Sequence, residues 1–387
     1  MTLQSRIAAA RRVVVKIGSA QLIDPATGAA RADRFAAIAA DIASLRQGGA
    51  KVVLVSSGAV AMGRARLGLA MSRTLTLEEK QAAAAAGQSV LISAWDQAFS
   101  AHGFIAAQAL LTPGDTEARR RWLNARNTLQ ALLGLGAVPV VNENDTVATD
   151  ELRFGDNDRL AARVGQLIGA QLLIILSDVD GLYDRPPDMA GAKHLAEIDT
   201  ITPDIEAMAG PALATGAGTG GMASKLAAAR IAAAAGCAVV IARGDEGRPV
   251  RALEQGARCS WFTPAGTPES ARRAWIRGLL AGDGALQLDA GAVAAVKAGR
   301  SLLPPGVTQV HGAFERGAAV RLLDPGGDGF AIGLAGYDDR EARAIAGKKS
   351  AEIEAVLGYR RGAVLVHADD LVLDAAGARR AGDRDDA

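Results

Sequence analysis

The chain has 387 residues, enough for two or three domains and a large buried core, which excludes a single small module. Hydrophobic residues make up 49% of it and charged residues 22%, which excludes wholesale disorder and a disulfide scaffold. With 43 Lys and Arg against 42 Asp and Glu, the chain as a whole exerts no pull on nucleic acid or anionic lipid, so any charge-based function must be local.

Two cysteines, Cys237 and Cys259, form no CxxC pair, and the first thirty residues hold nothing like a signal sequence, so a reducing cytoplasm is expected. The mean hydropathy is slightly positive. The most apolar stretches, 164–177 and 231–242, are nevertheless shorter than the roughly 18 residues a membrane helix needs. The 45 glycines point to many tight turns and to backbone that approaches something closely.

In chain order, short apolar runs rich in β-branched residues at 13–17, 51–55, 137–141, 172–176 and 238–242 predict strands. Segments of helical period lie between and beside them, at about 33–47, 77–100, 116–134, 158–168 and 222–235. This alternation predicts an α/β fold whose strands, apolar on consecutive positions, form a parallel sheet covered on both faces. Ligands of such sheets bind beyond the carboxyl ends of the strands. A connector with one helix is expected over 263–282, after an α/β domain covering 1–262. The Gly-punctuated segments GALQLD, GVTQVHGAF, GAAVRLLD and GFAIGLAGY predict a small β-rich domain over 283–372, and 373–387 reads as a flexible tail.

The first strand ends in VVVKIGSA, placing Lys16 at its carboxyl end and Gly18 in the turn that follows. Lys16 is either a solvated strand-end cation or a partner for phosphate oxygens, with Gly18 letting backbone amides close on the same anion. The second strand ends in VSSGAV, where Ser56, Ser57 and Gly58 open a helix, as a plain N-cap or as an anion site. In GAGTGGMASK the glycines fit G-x-G-x-x-G, but the required preceding strand is missing. Walker A spacing fails as well, because Lys225 follows Ser224 rather than glycine. What remains is flexible backbone opening a helix whose first turn carries Lys225, suited to a polyphosphate or to a hinge.

The polar connection NENDTVATDELRFGDND, 142–158, gathers Asn142, Asn144, Asp145, Asn157 and Asp158. Their acceptors suit a substrate ammonium and their amides a carboxylate, and the order of a calcium loop is absent. A zwitterion pocket is expected there. SDVDGLY places Ser177 and Asp178 at another strand end, for a nucleotide's base or ribose or simply for a turn. Four scattered histidines show no metal-ligand spacing, and Gly-x-Ser-x-Gly is absent. No metal site is expected.

With VVVKIGSA, VSSGAV, NEND to GDND, SDVDGLY and GTGGMASK in this order, and AGQS and WLNARNTL between them, the chain resembles the glutamate 5-kinases over about residues 10–372. The resemblance implies an amino-acid-kinase fold, an open, mostly parallel eight-stranded sheet sandwiched by helices, followed by a PUA domain. It implies ATP-dependent phosphorylation of the side-chain carboxylate of L-glutamate, the first step of proline biosynthesis, with ATP and Mg²⁺. By position, Lys16 and Lys225 look like the lysines that neutralise the transferring group, and Asp158 like the carboxylate that orients both. Ser56, Asp145 and Asn157 look like the glutamate site. Lys16, Ser177, Asp178 and the run Thr219, Gly220, Gly221, Met222, Ala223, Ser224 and Lys225 look like the ATP site. The likeness also implies a dimer or tetramer and proline as feedback inhibitor. Gly18-Ser19-Ala20 departs from the Gly-Thr-Ser of many relatives, losing a hydroxyl.

Two alternatives stand beside this reading. Another amino-acid kinase, with N-acetylglutamate or aspartate as acceptor, would keep the fold. An RNA-binding PUA protein would need a basic surface, but residues 283–387 carry 13 Lys and Arg against 16 Asp and Glu, so nucleic acid is not expected.

Overall fold

The computed structural model describes residues 2–147, 157–210, 221–245, 247–279, 282, 284–359 and 362–374. Two compact units emerge, the first comprising Met1–Glu117 and Asn124–Pro268, the second Ala118–Leu123 and Glu269–Ala387.

The chain runs through α1 (Leu3–Ala9), β1 (Arg12–Ile17), α2 (Ser19–Leu22), α3 (Ala32–Gln47), β2 (Lys51–Ser56), α4 (Ala59–Arg66) and α5 (Leu77–Ser100). There follow β3 (Ala106–Leu111), α6 (Pro113–Glu117), α7 (Arg119–Gly134), β4 (Val138–Glu143), α8 (Asn157–Ile168) and β5 (Leu172–Ser177). A hairpin of β6 (Leu182–Tyr183) and β7 (His194–Leu195) precedes β8 (Glu197–Ile198), α9 (Pro203–Met208), α10 (Met222–Ala234), β9 (Ala238–Arg243), α11 (Pro249–Glu254) and β10 (Cys259–Phe262).

Eight strands form one sheet in the order β3-β4-β2-β1-β5-β9-β10-β8, and only the β9–β10 pair is antiparallel. Central strands β1 and β5 are buried on consecutive positions, Val13 to Val15 and Leu173 to Leu176 being fully enclosed, because helices cover both faces. The register levels the strand ends. Lys16 pairs with Val55 and Ile175, Ile17 with Ser56 and Leu176, and Ser177 with Arg243. The strand order runs outward from β1 in both directions, so the loops after β1, β2 and β5 meet at a switch point on one edge.

Two contacts fix that edge. Helix α5 starts with a capping box in which Thr76 and Glu79 satisfy each other's backbone amides. It crosses α4 with backbone touching backbone: a Cβ on Gly87 would lie 1.8 Å from the Ala59 carbonyl oxygen, and one on Gly63 1.7 Å from that of Ala83. The glycine of AGQS is therefore a packing requirement that sets where α4 begins. From α3, the buried Arg34 donates to the carbonyls of Gly244 and Gly247, pinning the loop after β9, and burial lowers its pKa.

Helix α12 (Pro268–Gly278) leads into the second unit. That unit contains β11 (Ala285–Leu288), α13 (Ala290–Lys297), β12 (Val307–His311), β13 (Ala319–Leu323), β14 (Gly329–Leu334), α14 (Asp339–Ile345), α15 (Ile353–Leu357) and β15 (Leu371–Leu373). Its sheet has the order β12-β11-β13-β14-β15 around a core that includes Leu286, Phe330, Tyr337 and Val366. Trp122, from the Ala118–Leu123 segment, packs on Trp275 at 5.6 Å between ring centroids, with the Arg272 guanidinium 5.0 Å over it. The expected division into 1–262, 263–282 and 283–372 has no counterpart for Ala118–Leu123, whose partners are distant in sequence. Residues 375–387, most of the expected tail, lie outside the described residues.

Candidate active site

Three charged side chains meet at the carboxyl edge of the sheet. Lys16 comes from the end of β1, Asp158 from the first turn of α8 and Lys225 from the first turn of α10. Lys16 Nζ lies 2.6 Å from Asp158 Oδ1, and Lys225 Nζ lies 3.2 Å from Oδ2. Asp158 is fully buried, and Lys16 and Lys225 are only 5% and 3% exposed. Two ammonium groups distant in sequence thus share one carboxylate, one on each oxygen, and the trio carries one net positive charge. A buried charge is costly unless paired, so the mutual pairing of these three groups offsets much of their desolvation cost.

On the β2 and β4 side of Lys16 a hydroxyl and two amides are joined, with the acidic Glu143 at the end of β4. Asn157, one residue before Asp158, donates from Nδ2 to Ser57 Oγ at 2.7 Å and to Asn142 Oδ1 at 2.9 Å. Asn142 is buried at the end of β4, and Asp145 is half-buried just beyond it. Gly58, with φ of +125°, turns the chain from β2 into α4. A Cβ there would come within 2.8 Å of Ile23, so only glycine presents Ser57 to this cluster.

Ser56, the serine expected in the substrate site, is elsewhere. It is fully buried, and its hydroxyl accepts from the Trp95 indole N–H at 2.9 Å, within a stack of Phe35, Trp95 and Phe99. A buried indole N–H needs a partner, and Ser56 supplies it. The Ser56 hydroxyl is thus engaged in the core, and it is the Ser57 hydroxyl that meets Asn157. Alternation of side chains across a strand end makes the two positions mutually exclusive.

On the β5 and β9 side, Ser177 Oγ donates to Asp178 Oδ1 at 2.8 Å, while the Ser177 carbonyl accepts from the Gly244 amide at 2.7 Å. The loop that follows is braced. Tyr183 donates to Asp180 and accepts from Arg258 at 3.0 Å, and the buried Ser260 hydroxyl joins Leu182 N–H to the Leu195 carbonyl. Gly181, with φ of +143°, passes so close that a Cβ would lie 2.5 Å from Ser260 Oγ. Gly221 caps α10, and Met222, Ala223 and Ser224 form its half-buried first turn with Lys225. Thr219 and Gly220 lie outside the described residues, as do 148–156 of the polar connection.

Both cysteine thiols are raised by burial, Cys259 to about 11, so neither is a nucleophile at neutral pH. No helix among the described residues is long and apolar enough to cross a membrane.

The amino acid kinase family model matches residues 11–243, and the PUA domain model matches residues 284–357. The chain belongs to the amino acid kinase family. Curated relatives that it matches over nearly its whole length include glutamate 5-kinases. Glutamate 5-kinase 1 of Rhizobium meliloti (strain 1021) is 55% identical over 371 residues, 95% of this chain and 94% of that one. Glutamate 5-kinase of Caulobacter vibrioides (strain NA1000 / CB15N) is 54% identical over 372 residues, 96% of this chain and 98% of that one. Among solved structures, carbamate kinase from Giardia lamblia bound to AMP-PNP superposes with a TM-score of 0.47 at 19% identity, covering 66% of this chain and 99% of that one.

Proposed function

We propose that the enzyme transfers the γ-phosphoryl group of ATP to the side-chain carboxylate of L-glutamate, giving L-glutamyl 5-phosphate, the first step of proline biosynthesis. The observation that carries the reading is the pairing of Lys16 and Lys225 on the two oxygens of Asp158, at the switch point between two differently furnished halves of the sheet edge. The names of the curated relatives, at 54–55% identity over nearly the whole chain, support the choice of glutamate.

The mechanism follows from charge. The reference pKa of a glutamate side chain is about 4.3, so at neutral pH the acceptor is already an anion and needs no general base. Its obstacle is repulsion by the nucleotide's phosphates. A carboxylate oxygen attacks the γ-phosphorus in line, the bond to the β,γ-bridging oxygen breaks, and ADP leaves with that electron pair; no proton moves. Lys16 and Lys225 neutralise the equatorial oxygens as charge redistributes, and Asp158 holds both ammonium groups in place. Ser57, Asn142 and Asn157 supply hydroxyl and amide groups for the glutamate backbone, with Asp145 for its ammonium. Ser177, Asp178 and the run Thr219 to Lys225 hold the nucleotide. Among the described residues no group of three or more His, Cys, Asp or Glu side chains is placed to hold a metal. A Mg²⁺ ion accompanying the nucleotide would supply further neutralisation of its phosphate charge.

The reading places the enzyme in the cytoplasm, in keeping with its two unpaired cysteines. Assembly into a dimer or tetramer and inhibition by proline near Asp145 complete the proposal, on the family likeness. An ATP-dependent assay in which hydroxylamine traps the acyl phosphate tests it, with glutamate, N-acetylglutamate and aspartate as competing acceptors. Hydroxamate formed from glutamate is expected; product confined to N-acetylglutamate overturns the substrate.

A further inference from the structure

We infer that Gln21 is a further contact residue for the transferring phosphoryl group, an inference that rests on the phosphoryl-transfer reading above. Gln21 lies in α2, the single turn after β1, and is 3% exposed, as enclosed as the two lysines. Its Oε1 is buried and, among the described residues, has no hydrogen-bond partner. A Cβ built on Gly18 would meet that oxygen at 2.8 Å and Lys16 Nζ at 3.8 Å. The amide and the ammonium therefore flank the same α-carbon, at the mouth of the turn that follows Lys16.

Leaving a buried amide oxygen unpaired costs stability, and an apolar residue of similar volume would avoid the cost. A glutamine here makes sense if a ligand completes its hydrogen bonds. Its terminal torsion is soft and nearly twofold, so the NH₂ and carbonyl ends exchange places without changing the volume they fill. Beside Lys16 the ligand is an anion, and the end that answers it is the NH₂. Lys16 then acts as a point charge and Gln21 as a neutral, directional donor to the same oxygens. It strengthens as those oxygens gain charge, so its contribution falls on turnover rather than on glutamate binding.

Two substitutions test this. Gln21→Met keeps the volume and removes the donor; kcat is expected to fall by between about ten- and a hundredfold with the glutamate KM unchanged. Gln21→Glu places an acceptor-only anion beside the phosphoryl group and is expected to lower kcat further and to weaken ATP binding, measured by calorimetry without glutamate, by about tenfold or more. Thermal unfolding of both variants reports whether they fold. A Gln21→Met enzyme with wild-type kcat would show the amide to be filler, and a Gln21→Glu enzyme with wild-type ATP affinity would show that no anion meets this side chain. Either result overturns the inference while leaving the proposed function standing. Loss of glutamate-dependent product in the unsubstituted enzyme instead overturns the function, and the ATP-binding comparison still decides the role of Gln21.

Discussion

The two units of this protein differ in what they bury. Among the described residues, the first unit encloses Lys16, Gln21, Arg34, Asp41, Asn142, Asp158, Ser177 and Lys225 along with its aliphatic core, whereas Asp370 is the lone charged side chain buried to the same degree in the second. Among the described residues, Asp370 pairs with the guanidinium of Arg272. Polar groups in a core are expensive and weaken it unless every partner is present. The first unit has accepted that expense mainly along one edge of its sheet, while the second resembles a scaffold whose stability comes from apolar packing. The comparison teaches where chemistry resides: in the unit that keeps charge out of water and ready for a ligand.

The sharpest way to break this contrast is Asp158→Asn, which leaves two buried ammonium groups facing a neutral amide. Turnover in the hydroxamate assay is expected to fall by about a thousandfold or more. Stability is expected to drop by about 3–5 kcal/mol, as for other broken buried pairs. Calorimetry should find the loss in the transition of the first unit alone. An unshifted transition would mean that Asp158 does not carry the desolvation cost assigned to it.

Lys225→Ala keeps the Lys16–Asp158 pair and removes the second cation, so its larger effect is expected on chemistry, with a smaller loss of stability than in Asp158→Asn. We expect kcat to fall by about 10²–10³-fold, with the glutamate KM close to the parent value. An equal rise in KM with unchanged kcat would make Lys225 a binding group instead.

Gly87→Ala tests the packing under the site without touching a ligand. Its new methyl has no room beside the Ala59 carbonyl, so α4 and α5 must separate. A cost of about 1–3 kcal/mol is expected, read as a lower unfolding midpoint and faster proteolysis within the first unit, with the second unit unaffected.

The neighbouring serines sharpen the division between site and core. Ser57→Ala should raise the glutamate KM by about tenfold, the worth of one or two hydrogen bonds to a polar ligand. Ser56→Ala should leave KM alone and cost about 1–2 kcal/mol, because the Trp95 indole loses its acceptor. Exchange of these two phenotypes would reinstate Ser56 in the substrate site. Smallest in its effect on catalysis is Asp370→Ala, which is expected to lower the unfolding midpoint of the second unit while changing neither kcat nor KM.

Much of the fold was legible in local pattern. All five apolar runs that predicted strands are strands, because both-face burial writes itself into consecutive positions such as those of β1 and β5. Strand β3, AAQALL, escaped because small residues and a glutamine give no such signal, and it sits at the sheet's edge with most positions only half-buried. The segment 116–134 reads as one helix and is two, α6 and α7, with the first turn of α7 grouped with the second unit. Gln21 carried no sequence signal at all: a glutamine after a glycine turn is ordinary until its oxygen is found enclosed with no partner among the described residues.

Residue order alone settled the chemistry available at each strand end, since a lysine, a glycine turn or a pair of serines after an apolar run is a local fact that no distant contact can alter. It could not settle which of those groups meet. Lys16 and Lys225 reach the same carboxylate because parallel strands in register bring separate loops to one edge, and Ser57 rather than Ser56 meets Asn157 because Trp95 claims the other hydroxyl. Both outcomes depend on long-range packing of helices against the sheet, which fixes side-chain direction to within a single residue, a precision that spacing along the chain does not carry.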